Sequence, residues 1–175
     1  TINHLSCYNI YYMIEQANLQ IIGQAERVKF PSLDLSLHAR IDTGARTSAI
    51  WASSTQEAEG VLEVIFVGKS HEAYTGEVVK FHEYSQEVVT SSTGHTDVRY
   101  KVKIPVVVKG RKIKANFTLA DRSAQVYPVL VGRNILRGKF VVDVKGGATL
   151  RHAERALAAK KEDILKNSKN EGGSL

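Results

Sequence analysis

Cysteine is all but missing from this 175-residue chain, where Cys7 stands alone. One thiol excludes an internal disulfide and a cluster of thiolate metal ligands, and it leaves the redox compartment open. Long apolar runs are missing as well. The longest near the start, Ile10–Ile14 (IYYMI), is too short to cross a bilayer, and no basic segment precedes it as in a secretory leader. Because the first residue is Thr1 and not Met, this absence leaves cytoplasm and periplasm equally open. No internal repeat is visible.

What the chain does contain is a hydrophobic fraction of 43%, enough at this length for one compact domain with tails. Lys and Arg number 24 against 18 Asp and Glu, a formal charge of +6 with a pI near 9.4. Such a balance favours acidic partners over roughly a Debye length, about 8 Å at physiological salt. Anionic peptides, nucleic acid and anionic lipid all satisfy it.

From about Ile21 to Leu150, β-branched residues alternate with polar ones and Gly or Pro punctuates them, which is an all-β pattern of short strands. The clearest strand is VRYKVKIPVVV, Val98–Val108, interrupted at Pro105; a turn at Lys109-Gly110-Arg111 leads into the returning strand KIKANFTL. Glu26–Phe30, Leu37–Ile41, Val61–Val67, Tyr127–Val131 and Phe140–Val144 are further strands. Short strands of this kind close as a small barrel or sandwich. Residues 68–97 break the pattern: polar, His- and Glu-bearing, they predict a long excursion with one or two hairpins, of the sort that covers functional sites. Three parts follow: an apolar N-terminal extension over 1–20, a β domain over 21–150, and a tail over 151–175. The tail is helical through RHAERALAAKKEDILKN and then disordered.

Several chemistries fail for want of one residue. His71-Glu72 and His82-Glu83 begin His-Glu-x-x-His, but Thr75 and Gln86 stand where the second imidazole belongs, so no zinc site of that type forms and no metal is expected. Gly68-Lys69-Ser70 ends like a P-loop, yet Glu63 replaces its first glycine, so no ATP or other cofactor is expected. Cys7, near His4, reads as an inert thiol in an apolar patch, and Ser48 and Ser123 lack the Gly-x-Ser-x-Gly setting of a nucleophile. Alternating lysines such as Lys101 and Lys103 mark the wet face of a sheet. Without interleaved aromatics they do not predict nucleic-acid binding.

One acid remains in a distinctive setting. In ARIDTGARTSAI a strand delivers Asp42 to a turn, Thr43 offers a hydroxyl that locks the loop, and Gly44 removes the side chain beside the carboxylate. Taken alone, Asp-Thr-Gly reads as a plain Asx-type turn. About ninety residues further on, VYPVLVGRNIL carries an apolar strand, then Gly132-Arg133-Asn134, then an apolar helical turn. In order and chemistry the two segments resemble the retropepsins, the dimeric aspartic proteases of retroviral type. The blocks GQAERVKFP, ARIDTGARTSAI, FTLADRSAQVYPVLVGRNIL and FVVDV resemble, more narrowly, a bacterial family once labelled ATP-dependent zinc proteases and now grouped as retropepsin-like aspartic endopeptidases. The resemblance covers residues 23–144 and is poor around 68–97.

The resemblance implies a closed acid-protease-type barrel with a short C-terminal helix, and catalysis by paired carboxylates. This chain has only one Asp-Thr-Gly; Asp34, Asp97, Asp121, Asp143 and Asp163 all lack the glycine turn. The expected active unit is therefore a homodimer, with Asp42 of each copy on the two-fold axis and Thr43 bonding across it. Position 46 departs from the retroviral pattern, in which an acid near this point pairs with the Arg of Gly-Arg-Asn. Here Arg46 and Thr47 occupy those places, so Arg133 is expected to take Glu26 or Asp121 instead, with Asn134 as structural support. Ala45 and Arg46 are expected to contact substrate, and Arg46 to favour an anionic one.

The expected function is an aspartic endopeptidase acting on peptide bonds in acidic, glutamate-rich peptides. Relatives in that family often accompany ATP-grasp ligases that attach glutamate. The alternative is a non-catalytic dimeric β-barrel that binds acidic peptides or a protein partner. Two turns are candidates for a flap over the site, Tyr74-Thr75-Gly76 and Ser91–Gly94.

Overall fold

The computed structural model of the protein describes residues 18–90 and 96–171, with the backbone alone at residues 90, 161, 162 and 164–171. The His4 and Cys7 patch, the Ser91–Gly94 turn and the last four residues lie outside the described residues. In chain order the strands are β1 (Gln20–Gly23), β2 (Ala25–Phe30), β3 (Leu35–Ile41), β4 (Ser48–Ala58), β5 (Val61–Phe66) and β6 (Val78–Phe81). They continue with β7 (Tyr84–Thr90), β8 (Thr96–Val108), β9 (Arg111–Ala120), β10 (Val129–Val131) and β11 (Phe140–Asp143). Two α-helices are described, α1 (Arg133–Leu136) and α2 (Arg151–Glu171).

Local sequence explains the tightest connections. Glu59-Gly60 and Lys109-Gly110 are two-residue turns with φ of 53° and 75°, and of 50° and 80°. Positive φ at both positions matches the right-handed twist of the flanking strands, and Gly at the second position makes it easy. The second turn sets Val108 opposite Arg111, and from there β8 and β9 stay in register back to Lys101 opposite Thr118. Along β8 the alternation Val102, Ile104, Val106, Val108 is buried. Pro105 does not interrupt the strand as its type predicts, because it pairs with Lys114 between two stretches where β8 has a second neighbour. Those stretches run from Thr96 to Val102 with β7 and over Val107–Val108 with β2. The missing N–H thus falls where one edge of the strand is open.

Three strand pairs are parallel: β10 with β3, β4 with β9, and β1 with β11. The main sheet runs β10-β3-β2-β8-β9-β4-β5-β6, and β10 also pairs with β4, so the hydrogen-bonded path returns to β10. Its interior holds Phe30 edge-on to Phe117 at 5.4 Å, with Ile50, Leu37, Ile104 and Val129 around them. The polar excursion over 68–97 is more regular than its composition suggests. β6 joins β5 at one end of the sheet, and β7 joins β8 as a long arm.

Helix α2 continues through Ser168–Glu171, residues whose composition predicts a tail. No described helix is long and apolar enough to cross a membrane. A polar node anchors the start of α2: Tyr127 Oη accepts from Leu150 N at 2.9 Å and donates to Glu154 Oε1 at 3.0 Å. Arg40 reaches the same oxygen at 3.1 Å, and Ala148 N donates to Ala25 O at 2.7 Å. Removing the Tyr127 hydroxyl therefore loosens α2 without touching the sheet. Tyr127→Phe is expected to cost about 1 kcal/mol in urea unfolding and to speed amide exchange over residues 151–160; unchanged exchange there would count against the node.

Candidate active site

Asp42 stands at the first position after β3, where its N–H donates to Val131 O at 2.9 Å across the parallel β3–β10 pair. The chain then turns. Asp42 Oδ1 accepts from Gly44 N at 2.9 Å and from Ala45 N at 3.1 Å, an Asx turn that fixes the orientation of the carboxylate. A Cβ on Gly44 would lie 3.2 Å from that oxygen, so glycine keeps the approach to the acid clear. Asp42 is half-buried, whereas Thr43 and Gly44 are exposed at the tip of the turn.

The turn is held from behind by the segment between β10 and α1. Ser48 Oγ, fully buried, donates to Asn134 Oδ1 at 2.7 Å and accepts from Gly132 N at 2.9 Å. Asn134 Oδ1 also accepts from Ser48 N at 3.0 Å, while its Nδ2 donates to Asn116 O at 2.8 Å on β9. Two backbone bonds complete the clamp, Arg133 N to Ala45 O at 2.8 Å and Asn134 N to Arg46 O at 3.2 Å. A Cβ at Gly132 would meet Ala45 O and Thr47 O at 2.9 Å, so only glycine allows the two chains to approach so closely. Ser48, set aside above as a nucleophile, is thus the joint of the clamp.

The structure brings Asp42, Thr43, Gly44, Ala45, Arg46, Arg133 and Asn134 together and leaves Glu26 and Asp121 elsewhere. The expectation that one of these acids pairs with Arg133 is wrong. Glu26 Oε1 accepts from Gly23 N at 2.8 Å and lies 3.9 Å from Lys109 Nζ. Asp121 Oδ1 caps its own turn, accepting from Ser123 N at 2.9 Å, and that bond foremost holds its carboxyl below the usual range. Arg133 makes no ion pair among the described residues. With Arg46, Arg137 and Lys139 it lines a recess of about 450 Å³ that holds no carboxylate among its lining residues. His71 Nδ1 accepts from Ala73 N at 3.0 Å, and its ring stands edge-on to Trp51. Gly68 lies where a Cβ would meet the Trp51 ring at 2.7 Å, a packing reason for that glycine.

A groove of about 330 Å³ runs beside Asp42, between the turn at Gly44–Thr47 and the arm residues Glu87, Val88 and Val89 of β7. Arg99, Arg122 and Leu130 also line it. Arg46 pairs with Glu87, whose Oε2 lies 3.2 Å from Lys101 Nζ. Burial works against the charge of Glu87, but Lys101 and Arg46 outweigh it and hold the carboxyl below the usual range. Arg122 donates to Tyr127 O at 3.0 Å; burial and then Arg99 lower its proton affinity, while the Asp42 charge opposes them. Sequence reasoning missed Glu87, Arg99 and Arg122 as site residues. Only Arg122 carried a signal, lying inside the FTLADRSAQVYPVL block. The Tyr74-Thr75-Gly76 turn does not line this groove; Tyr74 packs on the core.

Comparison with known proteins agrees with this geometry. The RimB-like family, described as the retropepsin-like aspartic endopeptidase RimB, matches residues 21–151. A protein of Shewanella pealeana named probable alpha-L-glutamate ligase is 31% identical over 133 residues, covering 72% of this chain and 29% of that protein. One of Desulfotalea psychrophila with the same name is 26% identical over 129 residues, covering 71% of this chain and 28% of that protein. The chain therefore spans under a third of the length of these curated relatives. Among solved structures, a Legionella pneumophila protein of unknown function superposes with a TM-score of 0.53 at 23% identity, covering 74% of this chain and 96% of that one. That likeness supports the fold.

The clamp predicts a steep cost at Asn134. Asn134→Ala leaves the N–H and Oγ–H of the buried Ser48 without their partner, while Asn116 O, at an exposed position, turns to water. The substitution is expected to lower unfolding free energy by about 1–3 kcal/mol in chemical denaturation; a loss below about 0.5 kcal/mol, the scale of a neutral surface change, would contradict the clamp.

Proposed function

The chain belongs to the RimB-like family of retropepsin-like aspartic endopeptidases, and from that premise we propose that it hydrolyses peptide bonds through two Asp42 carboxylates, one from each copy of a homodimer. The observation that carries this reading is the Asp42 turn itself. A carboxylate held through Oδ1 by two backbone amides, clamped from behind and flanked by an exposed Thr43-Gly44 tip, is pre-set for chemistry but has no acidic partner among the described residues. The returning path of strand pairs supports a closed acid-protease-type barrel, and the two-fold axis would pass by the Thr43-Gly44 tips.

The chemistry follows from proximity. Two carboxylates about 3 Å apart cannot both ionise, so the pair shares one proton. The ionised Asp42 takes a proton from a water as its oxygen bonds to the scissile carbonyl carbon, and the protonated Asp42 gives its proton to the carbonyl oxygen. The Asp42 that took the water's proton gives it to the amide nitrogen while the other Asp42 takes a hydroxyl proton from the resulting gem-diol. The C–N bond breaks to release acid and amine, and the pair again shares one proton. The β7–β8 arm, whose Glu87, Val88, Val89 and Arg99 line the groove, is the flap in this reading.

Acidic peptides are the proposed substrates. Arg46, Arg99 and Arg122 line the groove, and the recess behind Arg46 adds Arg133, Arg137 and Lys139. The ligase name of the relatives fits the same chemistry, because a glutamate ligase makes the acidic chains that such a peptidase would trim. It also favours a second reading, in which the domain is a non-catalytic dimeric barrel that binds acidic peptides or a ligase partner.

Asp42→Asn separates the two readings. In the peptidase reading the purified variant, folded and dimeric, loses at least about a hundredfold in hydrolysis of oligoglutamate-containing peptides, measured by mass spectrometry. Hydrolysis by the variant at the unmodified rate, or none by either protein, would remove Asp42 from catalysis.

A further inference from the structure

Among the residues lining the groove, one acid faces several cations. Glu87 sits in β7 directly opposite Arg99 of β8 and diagonal to Lys101, so all three side chains share one face of the arm. Its carboxylate is nearly enclosed, with a side-chain exposure of 13%, while that of Arg46 is 77% exposed. Arg99 is engaged at 2.9 Å by Asp97 Oδ2. Glu87 therefore has two cationic contacts of different kinds. Lys101, 3.2 Å from Oε2, belongs to the same hairpin, whereas Arg46 comes from the Asp42 turn across the groove.

We propose that Glu87 is a specificity-determining residue that stands in for a substrate carboxylate: it occupies Arg46 in the empty groove and latches the β7–β8 arm to the catalytic turn until an acidic peptide displaces it. This rests on the acidic-peptide reading above. Glu87 keeps Lys101 at ion-pairing distance when it gives up Arg46, so displacement does not strip the carboxylate of its last cation. An incoming anion gives Arg46 an ion pair in return, where water alone would otherwise solvate it. A neutral peptide must open the latch without that compensation, and the latch thereby discriminates against it.

The test is a double-mutant cycle on peptide binding in the full chain, with Asp42→Asn as the common background so that nothing is cut. Hexaglutamate is titrated calorimetrically into four forms: the background, with Glu87→Gln, with Arg46→Gln, and with both. Glu87→Gln is expected to tighten hexaglutamate binding about threefold where Arg46 is present, the scale of an exposed ion pair, and to change nothing where Arg46 is Gln. Hexaglutamine, which must open the latch with nothing to offer Arg46, should also tighten by about threefold on Glu87→Gln and stay weaker than hexaglutamate wherever Arg46 is present. Equal tightening with and without Arg46 would reveal a simple field effect and overturn the latch, as would no tightening. Binding that depends on Arg46 but ignores Glu87 removes only the latch; absence of hexaglutamate binding in all four forms removes the acidic-peptide reading with it. Thermal unfolding of each form checks folding. If Glu87→Gln does not fold, Glu87→Asp, with a shorter reach to Arg46, carries the same expected direction.

Discussion

Everything at this site hangs on the hydroxyl of Ser48. It donates to Asn134 and accepts from Gly132, two residues 86 and 84 positions away in sequence. Through that joint, the start of β4 and the turn between β10 and α1 become one body. The backbone bonds from Arg133 and Asn134 then fix the carbonyls of Ala45 and Arg46. Asp42 receives its orientation from this second-hand rigidity. Its own bonds to Gly44 and Ala45 would define a turn in any loop, but only a loop pinned from behind holds the carboxylate at a fixed place relative to the sheet. Burial makes the joint demanding, since the Ser48 hydroxyl has left water and relies on its partners.

The charge pattern around that fixed carboxylate is lopsided. Arg46, Arg99, Arg122, Arg133 and Arg137 all line the groove or its neighbouring recess. Like charges kept so close disfavour the empty state and reward an incoming anion. Glu87 relieves part of this repulsion at the cost of tying the arm down. In this chain the presence of Arg46 and the recruitment of Glu87 from a different strand belong together.

Much of this was legible in the sequence, and the remainder was hidden for physical reasons. Hairpins read well because their turn chemistry is local: Lys109-Gly110 sets positive φ whatever surrounds it. Asp-Thr-Gly and Gly-Arg-Asn read well because close backbone approach admits only glycine at Gly132. Pro105 misled, since whether a missing N–H matters depends on which edge of β8 is occupied, a property of strands far away in sequence. Arg133 misled in the same way; its expected partners Glu26 and Asp121 were engaged by the backbone of Gly23 and Ser123, and such short-range bonds leave no periodicity to read. Glu87 was invisible because one acid in an alternating polar stretch looks like any solvated residue until β7 is laid beside the Asp42 turn.

The central claim is that one Asp42 is half of a catalytic pair. The separation of the two Asp42 carboxylates in a crystal structure of the assembled protein tests it most directly. The account predicts two copies related by a two-fold axis, with carboxylate oxygens about 3 Å apart and Thr43 packed against its counterpart. An assembly that leaves the two carboxylates beyond hydrogen-bonding reach, or a chain that remains single with Asp42 facing solvent, would contradict it.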